Sequence, residues 1–430
     1  MKAGTSGENG GRWSRLEAEL DRLTPRRRLL TLLLISVLVY GGLILMDGLL
    51  LRSFIDQSFA NSSDLSIFQE RARLILNGGV IYRDVPYGSL PVESPPLINY
   101  LFLPPQLAGG EWWAYEIWFS LFALLSSLST YLVLREWNDH LAFIAAVLLL
   151  LSPFLIVDST LGVQDEPIVA FFFIVPVLLF LRGNLKGATA GVILGFWTKF
   201  LSIILFPVMF IKLSDRKQRL RHIGLAAIIS LVVALPFLII CPIEFLQFPT
   251  YYMLGDNDGG AGMSVVGLIS AVGIVVPGSV GALITIAALI GSYWYCWMRK
   301  LDVWRSSLVV TVAFLCIYPM IRLSYFVIPF GFLVVWAAED RRVLLRILGM
   351  YIPLSVAQGL EFTINDGSVP APFAWIGLAA LLVGLAILVD ATRIALRNDC
   401  FLDRPRAGAA PLLRTAPSTV TSGTTTRDVK

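Results

Sequence analysis

Leu29–Leu51 reads LLTLLLISVLVYGGLILMDGLLL. A run of this length and character matches the roughly 17 to 25 predominantly apolar residues that a bilayer-spanning helix needs. It has company along the chain in Trp113–Leu134, Leu141–Val157, Ile223–Cys241, Ile284–Met298 and Phe373–Val389. The whole sequence is 56% hydrophobic and 15% charged, whereas an average soluble domain carries about 25% charge. A water-soluble core cannot absorb that much apolar surface, so the solvent is lipid. The runs do not alternate apolar with polar residues, which excludes a closed barrel. The sequence predicts an all-α polytopic membrane protein.

The net charge of +4 lies in the gaps between the apolar runs. Basic residues concentrate on the cytoplasmic side of membrane helices. Arg22, Arg26, Arg27 and Arg28 precede the first run with no small-residue cleavage site, so the helix is expected to be uncleaved, with residues 1–28 cytoplasmic. Arg135, Arg182 with Lys186, Lys212 to Arg221, Arg299 to Arg305, Arg341 to Arg346 and Arg393 onward mark the later cytoplasmic gaps. The outward gaps are then Arg52–Glu111, Asp158–Glu166, Pro242–Gly262 and Glu361–Pro370, and the last three contain no Lys or Arg. Ala188–Ile211 looks like one span, yet both flanks are basic, so it should reverse near Lys199 at the outer surface. Ser306–Met320 and Tyr325–Trp336 should likewise meet at an outer apex near Arg322. The expected result is about twelve spans within residues 29–395, both termini inside, and a disordered cytoplasmic tail over 396–430.

The first outward loop, residues 52–111, is too long for a connector. Leu65, Phe68, Ala72, Ile75 and Leu76 keep helical spacing behind Ser62, Ser63 and Asp64, and Asn77-Gly78-Gly79 ends the pattern, which predicts an interfacial amphipathic helix. A second short apolar stretch ending at Pro104-Pro105 should also lie in the interface. Cys241, Cys296, Cys316 and Cys400 are scattered, and only His140 and His222 are present, so neither a disulfide framework nor imidazole-centred metal chemistry is indicated.

Chemistry is therefore sought among outward ionisable groups. Lys199 and Arg322 fall between apolar segments, where a cation is costly unless paired, and such charges usually mark function. An anionic lipid headgroup would pair them. An acid such as Asp64 beside it could take the proton of an acceptor hydroxyl while the cations stabilise charge on a departing lipid phosphate. Asp64 equally suits a helix N-cap, and Asp165 and Glu166 before Pro167 suit a helix start. Glu93 suits a polar loop. Asp256-Asn-Asp258 has a metal-binding spacing but the composition of a turn.

Taken in order, Asp64-Leu-Ser-Ile-Phe-Gln-Glu-Arg-Ala-Arg73, Gly78-Gly-Val-Ile-Tyr-Arg83, Glu93-Ser-Pro-Pro-Leu97, Gly162-Val-Gln-Asp-Glu-Pro167, the Gly191, Gly195, Lys199 and Pro207 pattern, and Arg322-Leu-Ser-Tyr-Phe-Val-Ile-Pro329 resemble the GT-C superfamily of polytopic glycosyltransferases. The resemblance spans roughly Leu29 to Pro329. Within that superfamily it is to the polyprenol-phosphate-mannose-dependent mannosyltransferases, such as the catalytic subunit of the first GPI mannosyltransferase and glycosyltransferase family 87. It implies an inverting hexosyltransferase that uses a polyprenyl- or dolichyl-phosphate sugar, glycosylates a lipid- or protein-linked acceptor outside the cytoplasm, and uses Asp64 as base. Lys199 and Arg322 would hold the donor phosphate, with Glu93, Asp165 and Glu166 binding acceptor or cation. Asp64-Leu-Ser66 replaces the family's two-acid Asp-x-Asp, which leaves open whether a divalent cation, Mn or Mg, takes part. A partner subunit is compatible with the pattern, and nucleic acid is not expected. The membrane would be the plasma membrane of a prokaryote or the endoplasmic reticulum of a eukaryote. The rival class, a secondary transporter or lipid flippase, would be expected to show internal repeats and a midplane site; the sequence shows no repeat, and its polar groups gather on one face.

Overall fold

The computed structural model describes residues 23–52, 64–84, 94–248, 262–274, 276–360 and 370–406. Glu93, Asn61 to Ser63, Asp256 and Asp258 lie outside these segments, as do residues 407–430. The described residues are all-helical wherever structure is regular.

Helix α1, Pro25–Leu51, starts where Thr24 caps the Arg27 amide and Pro25 occupies the first turn, the position where its missing N–H costs nothing. Helix α2, Leu65–Leu76, is the amphipathic helix of the first outward loop, and the expected Phe68 and Ala72 form its buried stripe. Its end is set by Gly78, whose φ of 80° only glycine adopts freely. Helix α3, Trp112–Leu134, receives α2: Phe68 stacks on Phe102 at 4.2 Å and meets Phe119 edge-on at 5.9 Å. The loop helix is thus held by protein as well as by its apolar character.

Helices α4 (Asp139–Leu150) and α5 (Pro153–Thr160) are inclined by 43° across Leu151 and Ser152, because Pro153 cannot donate the hydrogen bond that would continue the helix. Helix α6 (Glu166–Leu181) pairs with α7 (Leu185–Thr198), and the close approach rests on small residues: a Cβ on Gly191 would stand 2.8 Å from Pro176. After α7 the chain is extended at Lys199 and then reverses through Phe200–Ile204, where Ser202 Oγ donates to the Val192 carbonyl at 3.0 Å. The reversal expected from the basic flanks is present. Helix α8 (Leu205–Lys212) and the long α9 (Arg216–Ile240) follow.

Helix α10, Gly278–Met298, precedes α11, Val303–Ile317. Helix α12, Val327–Ala337, is buried along its whole length and lies antiparallel to α11, with the indole N–H of Trp304 donating to the Phe332 carbonyl at 2.9 Å. Arg322 sits at the apex between them, as expected. Helix α13, Ala371–Arg397, closes the bundle.

Five of these helices are long and apolar enough to cross a membrane: Pro25–Leu51, Trp112–Leu134, Arg216–Ile240, Gly278–Met298 and Ala371–Asp403. A sixth is added if the bent α4–α5 pair is one span, and shorter apolar helices occur at Glu166–Leu181, Phe200–Lys212, Val303–Ile317 and Leu323–Ala337. The protein is an integral, multi-pass helical membrane protein; by this measure the long apolar helices among the described residues number five or six, against the expected twelve spans. Segments read as sharing one side are brought to one end. Arg28 binds Asp139 at 2.6 Å, Arg182 binds Glu136 at 3.0 Å, and Arg346 binds Asp390 at 2.5 Å. The segment expected to be disordered from residue 396 is helical to Arg397 and packed through Arg406. Phe401 is fully buried, Arg305 binds Asp403 at 2.7 Å, and Arg404 binds Glu339 at 2.6 Å. A buried aromatic with flanking ion pairs explains why this segment stays attached despite its polar composition.

Candidate active site

Asp64 occupies the N-cap position of α2, and its carbonyl accepts the Phe68 amide at 3.0 Å, yet its side chain makes no capping hydrogen bond. The carboxylate is turned instead toward Gln164, Asp165 and Lys199, on the far side of the first loop in sequence. Burial pushes the Asp64 carboxyl above its ordinary range and the charge of Asp165 adds to this, while Lys199, Arg71 and a hydrogen bond from Gln164 pull it back. A carboxyl that burial makes harder to ionise holds a proton more strongly once it has accepted one, which suits a general base.

Asp165 also stands at an N-cap, that of α6, and also leaves the cap unmade. Its Oδ1 lies 2.8 Å from the Lys199 ammonium, and Glu166 Oε1 lies at the same distance. The extended backbone at Lys199, just past the last turn of α7, aims the ammonium across to the start of α6. Tyr325 completes this side with its ring centroid 4.9 Å from Lys199 Nζ. The purely helix-capping reading of Asp64 does not hold, because its side chain makes no cap, whereas Asp165 and Glu166 stand at the helix start expected of them and also bind Lys199.

Arg322 precedes the short 3-10 turn Leu323–Phe326, is exposed, and forms no ion pair among the described residues. It stands three residues before Tyr325 at the apex, so the late motif contributes a ring to the lysine cluster and keeps its guanidinium at the rim. Glu93 lies outside the described residues, but its neighbour Ser94 is held by α2 and by the turn that follows it: Arg71 Nη1 donates to Ser94 Oγ at 2.8 Å, and Tyr82 donates to the Ser94 carbonyl at 2.8 Å. Among the described residues no three His, Cys, Asp or Glu side chains gather to hold a metal ion.

Two members of the site were missed as candidates. Asp158, at the end of α5, is buried beside Glu166, and neither its Oδ2 nor Glu166 Oε2 has a hydrogen-bond partner among the described residues. The signal that could have found it is an acid directly after the apolar run Leu141–Val157, an expensive place for a charge. Gln164 was read as part of a motif, and its contact with Asp64 gives it a reason.

The loop that carries Gln164 and Asp165 is unusual in its backbone. Val163 has φ of 47° and is fully buried against Phe68, Phe102, Tyr115 and Phe119. Left-handed backbone costs an L-residue about 1–2 kcal/mol, and burying a valine side chain returns about 1.5–3 kcal/mol. The aromatic core beneath α2 therefore holds the loop in a conformation that the loop alone would leave. Two hydrogen bonds assist: Gly162 N–H to the Val157 carbonyl at 2.7 Å, and Gln164 N–H to the Asp158 carbonyl at 2.9 Å.

Residues 93–240, about a third of the chain, match the family model of dolichyl-phosphate-mannose-protein mannosyltransferases. Over that segment the chain resembles the membrane mannosyltransferases of that family. The GT-C resemblance drawn from sequence motifs is thereby supported by a comparison made independently of them. No curated protein matches the chain significantly. The matched segment runs through α3 to α9 and contains Asp158, Gln164, Asp165, Glu166 and Lys199; Asp64 and Arg322 flank it.

Proposed function

We propose that this protein is a glycosyltransferase that moves mannose from a polyprenyl- or dolichyl-phosphate carrier to a lipid- or protein-linked hydroxyl outside the cytoplasm, with inversion at the sugar. The observation that carries this reading is the Asp64 carboxylate, freed from its capping role and set beside Gln164, Asp165 and Lys199. In the reaction Asp64 takes the acceptor hydroxyl proton, the acceptor oxygen forms its bond to the anomeric carbon, and the bond from that carbon to the phosphate oxygen breaks. The lipid phosphate leaves with the electron pair. Lys199, oriented by Asp165, Glu166 and Tyr325, and Arg322 at the rim supply the positive potential that stabilises this leaving group. Glu93, Asp165 and Glu166 border the acceptor pocket.

In this reading about twelve crossings arise when the shorter apolar helices are counted with the long ones. The basic end faces the cytoplasm with both termini, and the Asp64 end faces outward. That sidedness suits a donor whose phosphate lies at the membrane surface and whose lipid stays in the bilayer. Asp64→Asn tests the assignment: transfer should disappear while the protein stays folded in detergent, and an active Asp64→Asn protein would refute it.

A further inference from the structure

We infer that Val163 is a positioning residue that couples the base helix α2 to the Gln164-Asp165 loop, so that the relative placement of Asp64 and the lysine-bound acids is set by one buried, left-handed valine. This inference rests on the proposed role of Asp64 as base. The observations behind it are independent of that role. Val163 and Lys300 are the only non-glycine residues with positive φ among the described residues, and Lys300 follows a helix end. A β-branched residue is the least suited to that backbone region. The preceding position, Gly162, is a glycine without positive φ; a Cβ there would stand 3.3 Å from the Val157 carbonyl oxygen. The local chemistry of the turn thus favours glycine at 163, and the valine is there for its side chain.

That side chain enters the same aromatic cluster as Phe68, one turn into α2 from Asp64, and as Ile168, in the first turn of α6. Between Val163 and Ile168 lie Gln164, Asp165 and Glu166. The cluster therefore touches both ends of the acidic loop and the helix that carries the base. Strained residues persist where surrounding structure over-determines them, and they concentrate at sites whose geometry matters. Here the buried side chain is what ties the loop to the base helix, and without that anchor the loop is free to shift relative to Asp64.

The test uses the full chain in lipid vesicles, with labelled polyprenyl-phosphate mannose as donor and an acceptor extract from membranes. Val163→Gly removes both strain and anchor, and Val163→Asn tolerates the left-handed backbone but cannot enter the aromatic cluster. Both variants should fold, and in both kcat should fall about tenfold or more with little change in donor KM, because misplacement by a fraction of an ångström penalises chemistry more than binding. The acid limb of kcat should shift, because burial, Asp165, Lys199 and Gln164 all act on the Asp64 carboxyl through this loop while Arg71 on α2 stays in place. Val163→Thr, which keeps the branched shape, should keep the acid limb of the parent. Folded Val163→Gly protein with the parent kcat and acid limb would overturn the inference. Asp64→Asn in the same assay separates the two levels. If it is inactive while Val163→Gly matches the parent, only the positioning role falls; if it is active, the reading of the base falls.

Discussion

Replacing Lys199 by methionine removes the cation that bridges Asp165 and Glu166 while keeping most of the side-chain volume. The structure sets the size of the effect. The Lys199 side chain is 14% exposed, Asp165 11% and Glu166 4%, and both N–O distances are 2.8 Å. Stranding buried charge by deleting its partner costs about 3–5 kcal/mol. At roughly 2 °C per kcal/mol for a large domain, the apparent melting temperature should fall by about 6–10 °C. Intrinsic fluorescence in one detergent at one scan rate measures this, since irreversible unfolding makes the midpoint depend on rate. Glu166→Gln alone should change little, because the amide oxygen still accepts from the ammonium. Added to Lys199→Met it removes one stranded carboxylate and should recover about half of the loss, the non-additivity expected of residues in contact. Transfer should stay absent in both lysine variants, because recovered stability restores no cation. A Lys199→Met protein that melts with the parent, or a double variant no more stable than the single, would refute the reasoning.

The pH profile offers a second check. Asp64 is active as base only when ionised, and burial raises its ionisation above the ordinary carboxylate range, so activity should fall as pH drops through that raised value and the acid limb should lie above that of an exposed aspartate. A limb at the ordinary position would count against the buried base. Arg305→Ala, at the opposite end, deletes contacts to Asp302, Asp403 and the Asn398 carbonyl and should lower stability by about 1.5–3 kcal/mol, read as a lower melting midpoint with donor KM unchanged.

Much of the architecture is legible in the sequence because lipid imposes a simple demand. A spanning helix needs a long apolar run, and charge asymmetry orients the gaps. The reversal at Lys199 could be read from its two basic flanks, and the packed stripe of α2 from helical spacing. Other features depend on contacts that periodicity does not carry. Asp64 and Asp165 both stand where caps are made, and only the tertiary structure reveals that neither side chain caps. The pairing of Lys199 with Asp165 and Glu166 joins residues more than thirty apart, through the reversal between α7 and Phe200–Ile204. Tyr325, not Arg322, is the member of the late motif that reaches the lysine, and Arg322 is left exposed at the apex. Asp158 was legible as an acid directly after an apolar run, but its proximity to Glu166 comes only from the fold. Residues 398–406 have a tail-like composition, yet Phe401 and the arginines around it hold them to the bundle.

The central claim, a lipid-phosphate donor with Asp64 as base, is tested most directly by sugar transfer in vesicles. Purified parent and Asp64→Asn protein would each be supplied with labelled polyprenyl-phosphate mannose or nucleotide-activated mannose and the same acceptor extract. The account predicts transfer by the parent from the lipid-linked donor alone, and none by Asp64→Asn. Transfer from the nucleotide sugar, or undiminished transfer by Asp64→Asn, would contradict it.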